Sequence, residues 1–302
     1  MAQCWDNRRA MLAILLHAVA AILYAALAVH FWRTRWRSPA PRAAGIARGE
    51  RAAILAPLAL HTWLLYQELL VAPGLRFGFG QALSVTLWIA VLIYWVESWY
   101  VNLEGMQALV LPIAAVCVAL PAIFPGLELP PYASSLGFRA HLLLAMLAYS
   151  LFTVAALHAL LMALLERQLH GGRRDGGAAS AVSGHGGGGP LVGPLASLPP
   201  LLTLERLLFR ILAAGFVLLT ATLATGVLFS EELFGKALRF NHKTLFAILS
   251  WLIFGALLVG RWRYGWRGRK ALRWTLAGFV ALLLAYVGSR FVLEVILGRS
   301  LT

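Results

Sequence analysis

The chain has 302 residues, of which 61% are hydrophobic and only 13% are charged. A soluble domain carries roughly twice that charged fraction, and apolar runs of about 20 residues, long enough to span a bilayer, recur along the chain. The composition therefore predicts an all-α polytopic membrane protein and excludes a separate soluble enzyme domain. The arginines that produce the net charge of +14 flank apolar runs, a pattern typical of topology signals and lipid contacts rather than of nucleic-acid binding.

Eight transmembrane helices are predicted in chain order, and together they form one integral membrane domain over residues 1–302. Residues 171–200, between the fifth and sixth helices, are rich in Gly, Ser and Pro, which predicts a flexible cytoplasmic linker. The helices are expected at about 11–31, 52–71, 80–99, 105–124, 138–165, 204–229, 242–260 and 271–297.

Two strongly basic loops predict the orientation of these helices. Residues 32–51 and 261–273 each contain six or more cations against at most one acid, so both are expected on the cytoplasmic side. With eight crossings, residues 166–203 are then also cytoplasmic, and both termini are periplasmic in a bacterium.

Two histidines are expected at similar depth near the outer membrane surface, because His141 opens the fifth helix and His242 opens the seventh. Imidazole binds heme iron, zinc and copper, but a bare ion needs three or four protein ligands. Heme supplies four nitrogens of its own, so two histidines suffice, and His141 and His242 are candidate axial ligands. The alternative interpretation is that these residues cap or anchor helix ends.

The residues around these histidines suit a flat apolar ligand with acidic groups. Tyr149 and Trp251 offer aromatic surface, and Lys243 and Arg239 are candidate partners for propionate carboxylates. The pattern therefore extends the candidate heme site to these four residues.

A second candidate site lies within the second helix, where His61 and Glu68 are seven residues apart and so share a face. An ionisable pair inside a bilayer is costly and indicates function, as part of a heme or proton path, or else a structural hydrogen bond. Cys4 and Cys117 form no C-x-x-C motif. The sequence contains no nucleophile–base pair and no phosphate loop, so no enzyme activity is expected.

Three stretches carry a family resemblance over roughly residues 60–300: "HLLLAMLAYSLFTVAALHALL" from His141, "FNHKT" followed by "SWLIFG", and "GRWRYGWRG". They resemble the cytochrome c assembly membrane protein family of the CcsA, CcmC and HemX type. The resemblance implies a bacterial inner-membrane protein that binds or handles heme at the periplasmic face. Its implied partners are the lipid bilayer, heme and cytochrome c assembly proteins.

Family members present heme with a Trp-rich external loop between two external histidines, and His141 matches the first of these. Residues 239–244 fall where the Trp-rich loop is expected but contain no tryptophan, and the second histidine position falls at Gly288 and Ser289. Either His242 replaces the missing ligand, or the chain is an accessory or regulatory subunit of a transporter or biosynthetic enzyme that has lost heme binding. A transporter with His61 and Glu68 in its path is the third alternative.

Overall fold

The computed structural model describes residues 2–36, 46–71, 76–101, 103, 105–129, 133, 135–171, 201–234 and 242–296. It confirms an all-α polytopic membrane protein. Residues 172–200, nearly all of the predicted linker, lie outside the described residues, as does Arg239. The orientation of the termini stays a prediction.

The described chain contains eight long helices. Seven segments are long and apolar enough to cross a membrane within the described residues, whereas the fourth helix has 17 residues and is shorter. The bounds are α1 Ala2–Phe31, α2 Arg48–Tyr66, α3 Phe79–Glu97, α4 Gln107–Ile123, α5 Leu136–Gly171, α6 Leu201–Phe234, α7 His242–Tyr264 and α8 Gly268–Leu283.

Several helices continue beyond the predicted apolar ranges. Helix α5 extends to Gly171 and α6 to Phe234, because backbone hydrogen bonding continues into polar turns where hydropathy no longer marks the helix. Helices α1, α2 and α8 each run on into wider π-helical turns, at Trp32–Trp36, Gln67–Val71 and Leu284–Gly288. The helical bodies are therefore longer than the hydrocarbon-spanning segments alone.

The helices form two groups that meet at α5. Helix α1 packs against α2 and α4, and α4 also packs against α3. Helix α5 packs against α3 on one side and against α6 and α8 on the other, while α7 lies against α6 and α8. Phe152 of α5 stacks on Phe254 of α7 with ring centroids 3.9 Å apart, so α5 also reaches the last helix pair at the core.

A small residue allows α7 and α8 to approach closely. A Cβ atom at Gly278 would lie 2.9 Å from the Phe254 ring, and the Gly278 carbonyl accepts a hydrogen bond from the Ser250 hydroxyl at 3.0 Å. Small residues with serine hydroxyls are the usual means of close helix contact in membranes, where apolar surface alone gives little drive to associate.

A two-residue antiparallel ladder joins β1, Arg76–Phe77, to β2, Leu127–Glu128. The turn before β2 needs glycine, because Gly126 has φ +70° and a Cβ there would lie 2.6 Å from the Gln81 side chain. The Gln81 side chain in turn accepts a hydrogen bond from the Gly78 backbone amide at 3.0 Å. The ladder therefore holds the start of α3 and the end of α4 together at one end of the bundle.

Ion pairs join helices α5 and α6 to the α7–α8 loop at the opposite end of the bundle. Glu205 of α6 pairs with Arg261 and with Arg267, and Glu166 of α5 accepts a hydrogen bond from Arg269 at 3.1 Å. The basic α7–α8 loop is therefore fastened to α5 and α6 at the end predicted to be cytoplasmic.

We expect Gly278→Ala to lower the stability of the α7–α8 contact by about 1–3 kcal/mol, because the added methyl group overpacks against Phe254. Thermal unfolding of the purified protein in detergent measures the change. Gly49→Ala is the matched control, since a Cβ at Gly49 meets nothing within 4 Å. Equal melting temperatures for the two variants would contradict the tight packing described at Gly278.

The predicted orientation is tested by cysteine labelling in a background without Cys4. Leu136 is 84% exposed at the predicted outer end, and Tyr264 is 74% exposed at the predicted inner end. We expect a membrane-impermeant thiol reagent to label Leu136→Cys but not Tyr264→Cys in cells with a permeabilised outer membrane. The reverse pattern would invert the assignment of sides.

Candidate functional site

A cavity of about 580 Å³ lies between the ends of four helices. The N-terminal ends of α5 and α7 and the C-terminal ends of α6 and α8 meet there, at the end predicted to be periplasmic. Phe77 of β1 and Leu129, just after β2, close one wall, so the ladder also shapes the cavity. The volume lies within the range of small-molecule and cofactor sites, roughly 300–1,000 Å³.

His141 is the cavity residue with clear ligand chemistry. Its Nδ1 lies 2.9 Å from the Thr225 hydroxyl of α6. That hydroxyl also lies 2.8 Å from the Ala221 carbonyl and 3.1 Å from the Thr222 carbonyl, both of which can only accept its proton. With the hydroxyl proton on a carbonyl, Nδ1 of a neutral His141 donates to Thr225 and Nε2 keeps a lone pair that can bind a metal.

Two cations contribute to the otherwise mainly apolar wall. Lys243 of α7 and Arg290, beyond the π-helical turn of α8, both line the cavity. The Arg290 guanidinium also lies 5.7 Å from the centroid of the Tyr286 ring, another lining residue. An apolar cavity with basic groups suits a ligand that is largely apolar and bears acidic groups.

Tyr149 is held in place by the helix opposite. Its hydroxyl donates to the Leu282 carbonyl of α8 at 2.7 Å, and both residues line the cavity. This bond ties α5 to α8 directly before the π-helical turn of α8. Tyr149 is thus a fixed part of the wall rather than a side chain available to a ligand's polar groups.

The structure brings together three of the six residues predicted for the heme site: His141, Lys243 and Tyr149. His242 is exposed at the first position of α7 and is not among the lining residues, although its neighbour Lys243 is. Trp251 also lies away from the cavity: it donates to the Thr220 hydroxyl at 2.9 Å and stacks on Phe216. Ligation by His242 stays a prediction.

Two residues of the site were not predicted from the sequence: Thr225, the hydrogen-bond partner of His141, and Arg290, which lines the cavity. Thr225 carries no distinctive motif, so no signal identified it. Arg290 directly follows Gly288 and Ser289, where the family resemblance places a histidine. A charged residue beside that position was the one sequence feature that could have identified it.

His61 and Glu68 do not contact each other as the predicted pair requires. The Nε2 atom of His61 lies 2.8 Å from the Ser84 hydroxyl, whereas a Glu68 carboxylate oxygen lies 2.8 Å from Nε2 of His17. The prediction of a shared face is compatible with both contacts, but a spacing of seven residues is about 10 Å along a helix, beyond hydrogen-bond reach. Each side chain therefore finds its partner on a neighbouring helix.

Among the described residues, no group of three or more His, Cys, Asp and Glu side chains is arranged to hold a metal ion. The donor set in the cavity is a single imidazole with nearby cations. This arrangement suits an iron that brings its own equatorial ligands better than it suits a bare ion.

The fold and the cavity define a multi-pass α-helical membrane protein with a cofactor-sized site at one end of the bundle. The chain belongs to the cytochrome c assembly protein family, whose model matches residues 52–297. The resemblance noted in the sequence is thereby confirmed. No solved structure matches the chain.

Three relatives illustrate the breadth of the similarity. The chain is 32% identical over 192 residues to inner membrane protein YpjD of Escherichia coli K12. The aligned stretch covers 62% of this chain and 65% of that protein. The chain therefore spans slightly less than two thirds of the length of the first curated relatives it matches. An uncharacterized 28.8 kDa protein of Azospirillum brasilense is 31% identical over 243 residues, 78% of this chain and 81% of that protein. Cytochrome c biogenesis protein CcsA of Prochlorococcus marinus MIT 9515 is 36% identical over 88 residues, 29% of this chain and 28% of that protein.

We expect Tyr149→Phe to destabilise the cavity wall by about 1 kcal/mol, because the Leu282 carbonyl loses its hydroxyl donor. Thermal unfolding in detergent provides the measurement. Tyr66→Phe serves as the control, since Tyr66 is 47% exposed on α2. If the two variants melt alike, the bond between α5 and α8 does not contribute to stability.

Proposed function

We propose that this protein binds heme in the cavity and handles it at the periplasmic face of the bacterial inner membrane. The observation that carries the proposal is His141, whose Nδ1 donates to Thr225 while its ring lines an apolar cavity of cofactor size. Family membership and the names of the CcsA relatives, which are cytochrome c biogenesis proteins, support the choice of ligand. The name of YpjD as an inner membrane protein supports the location.

The residues present fit heme in three respects. His141 offers an imidazole nitrogen for iron, and the Thr225 hydroxyl orients that ring, as the outer hydrogen-bond partners of metal-binding histidines do. Lys243 and Arg290 offer cations for the two propionate carboxylates. The remaining wall is mainly apolar and excludes water from a macrocycle. When bound, heme would supply a redox-active iron whose potential depends on its axial ligands.

The proposed role is ligand handling rather than catalysis. The chain's own residues bind, orient and shield the cofactor, and the cavity lies where the predicted topology places the periplasm. His242 is the proposed second axial ligand, because it directly precedes Lys243 at the start of α7. His141 and His242 would hold the iron, and Lys243 and Arg290 would hold the carboxylates.

The proposal is tested by loading the purified full-length protein with hemin and recording the Soret band. We expect a bound-heme spectrum for the wild type and its loss in His141→Ala. Thr225→Val, which keeps the side-chain shape but cannot accept from Nδ1, is expected to weaken heme binding roughly tenfold. The His30→Ala variant is the control, since His30 lies at the predicted inner end of α1 and is 49% exposed.

The same hemin-loading spectra distinguish ligation by His242 from ligation by His141 alone, and heme binding from the accessory-subunit interpretation. Loss of low-spin features in His242→Ala would identify His242 as the second ligand, whereas an unchanged spectrum would leave His141 as the sole protein ligand. A wild-type protein that binds no heme after loading would contradict the proposal and favour the accessory-subunit interpretation.

A further inference from the structure

Helices α1 and α2 carry matching polar residues along the line where they pack. Three contacts join them: His17 with Glu68, Tyr24 with His61, and Arg35 with Glu50. The three contact residues of the first helix are seven and then eleven residues apart in the sequence. Their partners on the second helix have the same spacings in the reverse chain direction. Both steps are close to whole numbers of helical turns, so all six side chains lie on one seam between antiparallel helices. We call this line the α1–α2 seam.

The seam reaches across most of the hydrocarbon thickness. The first and last contacts are eighteen residues apart on each helix, which is about 27 Å at 1.5 Å per residue, against a hydrocarbon core of about 30 Å. Ionisable side chains inside a membrane are costly to keep, and they commonly belong to proton or ion pathways.

The contact between His17 and Glu68 requires a proton between the two side chains. Nδ1 of His17 lies 2.6 Å from the Val118 carbonyl of α4, and a carbonyl can only accept, so Nδ1 carries a proton. Nε2 of the same ring lies 2.8 Å from a carboxylate oxygen of Glu68. If the ring were neutral and the carboxyl ionised, two acceptors would face each other at hydrogen-bond distance.

Two protonation states satisfy this geometry. Either His17 is an imidazolium that donates from Nε2 to a Glu68 carboxylate, or a protonated Glu68 donates to a neutral His17. Both contain one proton more than neutral His17 with ionised Glu68. Movement of that proton between Nε2 and the carboxyl oxygen converts one state into the other without any other bond changing.

A second buried histidine, His61, forms the next contact along the seam. It is fully buried, its Nε2 lies 2.8 Å from the Ser84 hydroxyl, and its Nδ1 lies 3.4 Å from the Tyr24 hydroxyl. Hydroxyl groups both donate and accept, so His61 can adopt either tautomer without leaving a ring nitrogen unsatisfied.

The Glu68 side chain is about one quarter exposed whereas His17 is buried, and the second carboxylate oxygen of Glu68 is buried without a hydrogen-bond partner among the described residues. The groups that face the pair and its neighbour come from four helices. They are His17 and Tyr24 of α1, His61 of α2, Glu68 of the π-helical turn that continues α2, Ser84 of α3, and the Val118 carbonyl of α4.

We infer that the His17–Glu68 pair is a membrane-embedded proton-binding site on the α1–α2 seam. The site is separate from the heme proposal, because neither His17 nor Glu68 lines the cavity. It contains no cavity residue. The ligand is a single proton, taken up at Glu68 from the side predicted to be periplasmic.

Infrared spectroscopy of the full-length protein in lipid films tests the site. We expect raising the pH to remove one proton from the pair, with a change in the carboxyl and imidazolium bands that is absent in Glu68→Gln. The glutamine amide can donate to Nε2 of a neutral His17, so this variant keeps the contact and should fold. Glu128→Gln, an exposed carboxylate on β2, is the matched control and should leave the change intact.

A titration that persists unchanged in Glu68→Gln would overturn the inference, and so would a wild type with no titrating band. His17→Asn provides a second check, because its amide can still donate to the Val118 carbonyl but cannot bind a second proton. We expect it to remove the imidazolium component alone. Heme loading of Glu68→Gln should remain as in the wild type.

Discussion

The organisation of this protein depends on which oxygen atoms accept hydrogen bonds from its buried histidine rings, inside a helix bundle that lies in the hydrocarbon of the membrane. Unpaired polar groups are costly there, because no water is present to replace a missing partner. Three rings place Nδ1 against an oxygen atom of a helix, which fixes the ring and leaves Nε2 for another role. The three contacts are His17 with the Val118 carbonyl, His141 with the Thr225 hydroxyl and His158 with the Val154 carbonyl.

The same bond has different consequences because the surroundings of Nε2 differ. At His17 that nitrogen meets the Glu68 carboxyl at 2.8 Å, and at His158 it lies 3.8 Å from the Glu97 carboxyl. His141 instead lines an apolar cavity that also contains cations. The same kind of Nδ1 contact therefore fixes imidazoles beside carboxyl groups among α1–α5 and beside the cavity among α5–α8.

Helix α5 connects these two regions. It packs against α3 on one side and against α6 and α8 on the other, and Tyr149 and Phe152 bind it to α8 and α7. The cavity lies among helix ends on the same side of the bundle. The ion pairs of Glu166 and Glu205 close the opposite end.

Part of the candidate site could be predicted from the sequence because helix order alone places its members at one end. His141 and Lys243 begin helices that start on the same side, so their meeting required only the alternation of spans. Arg290 and Thr225 could not be predicted, since their inclusion depends on the rotation of α6 and α8 about their own axes. Trp251 shows the same limit, because its ring faces Thr220 and Phe216 instead of the cavity.

By itself the sequence determined the all-α membrane class, the order of the helices and the family, because apolar runs and motif strings are properties of local stretches. It also placed His61 and Glu68 in one helix, at a spacing that shares a face. Only the tertiary structure decided that their partners are Ser84 and His17. Contacts between helices depend on which faces pack and at what register, and that information belongs to the assembled bundle rather than to any single segment.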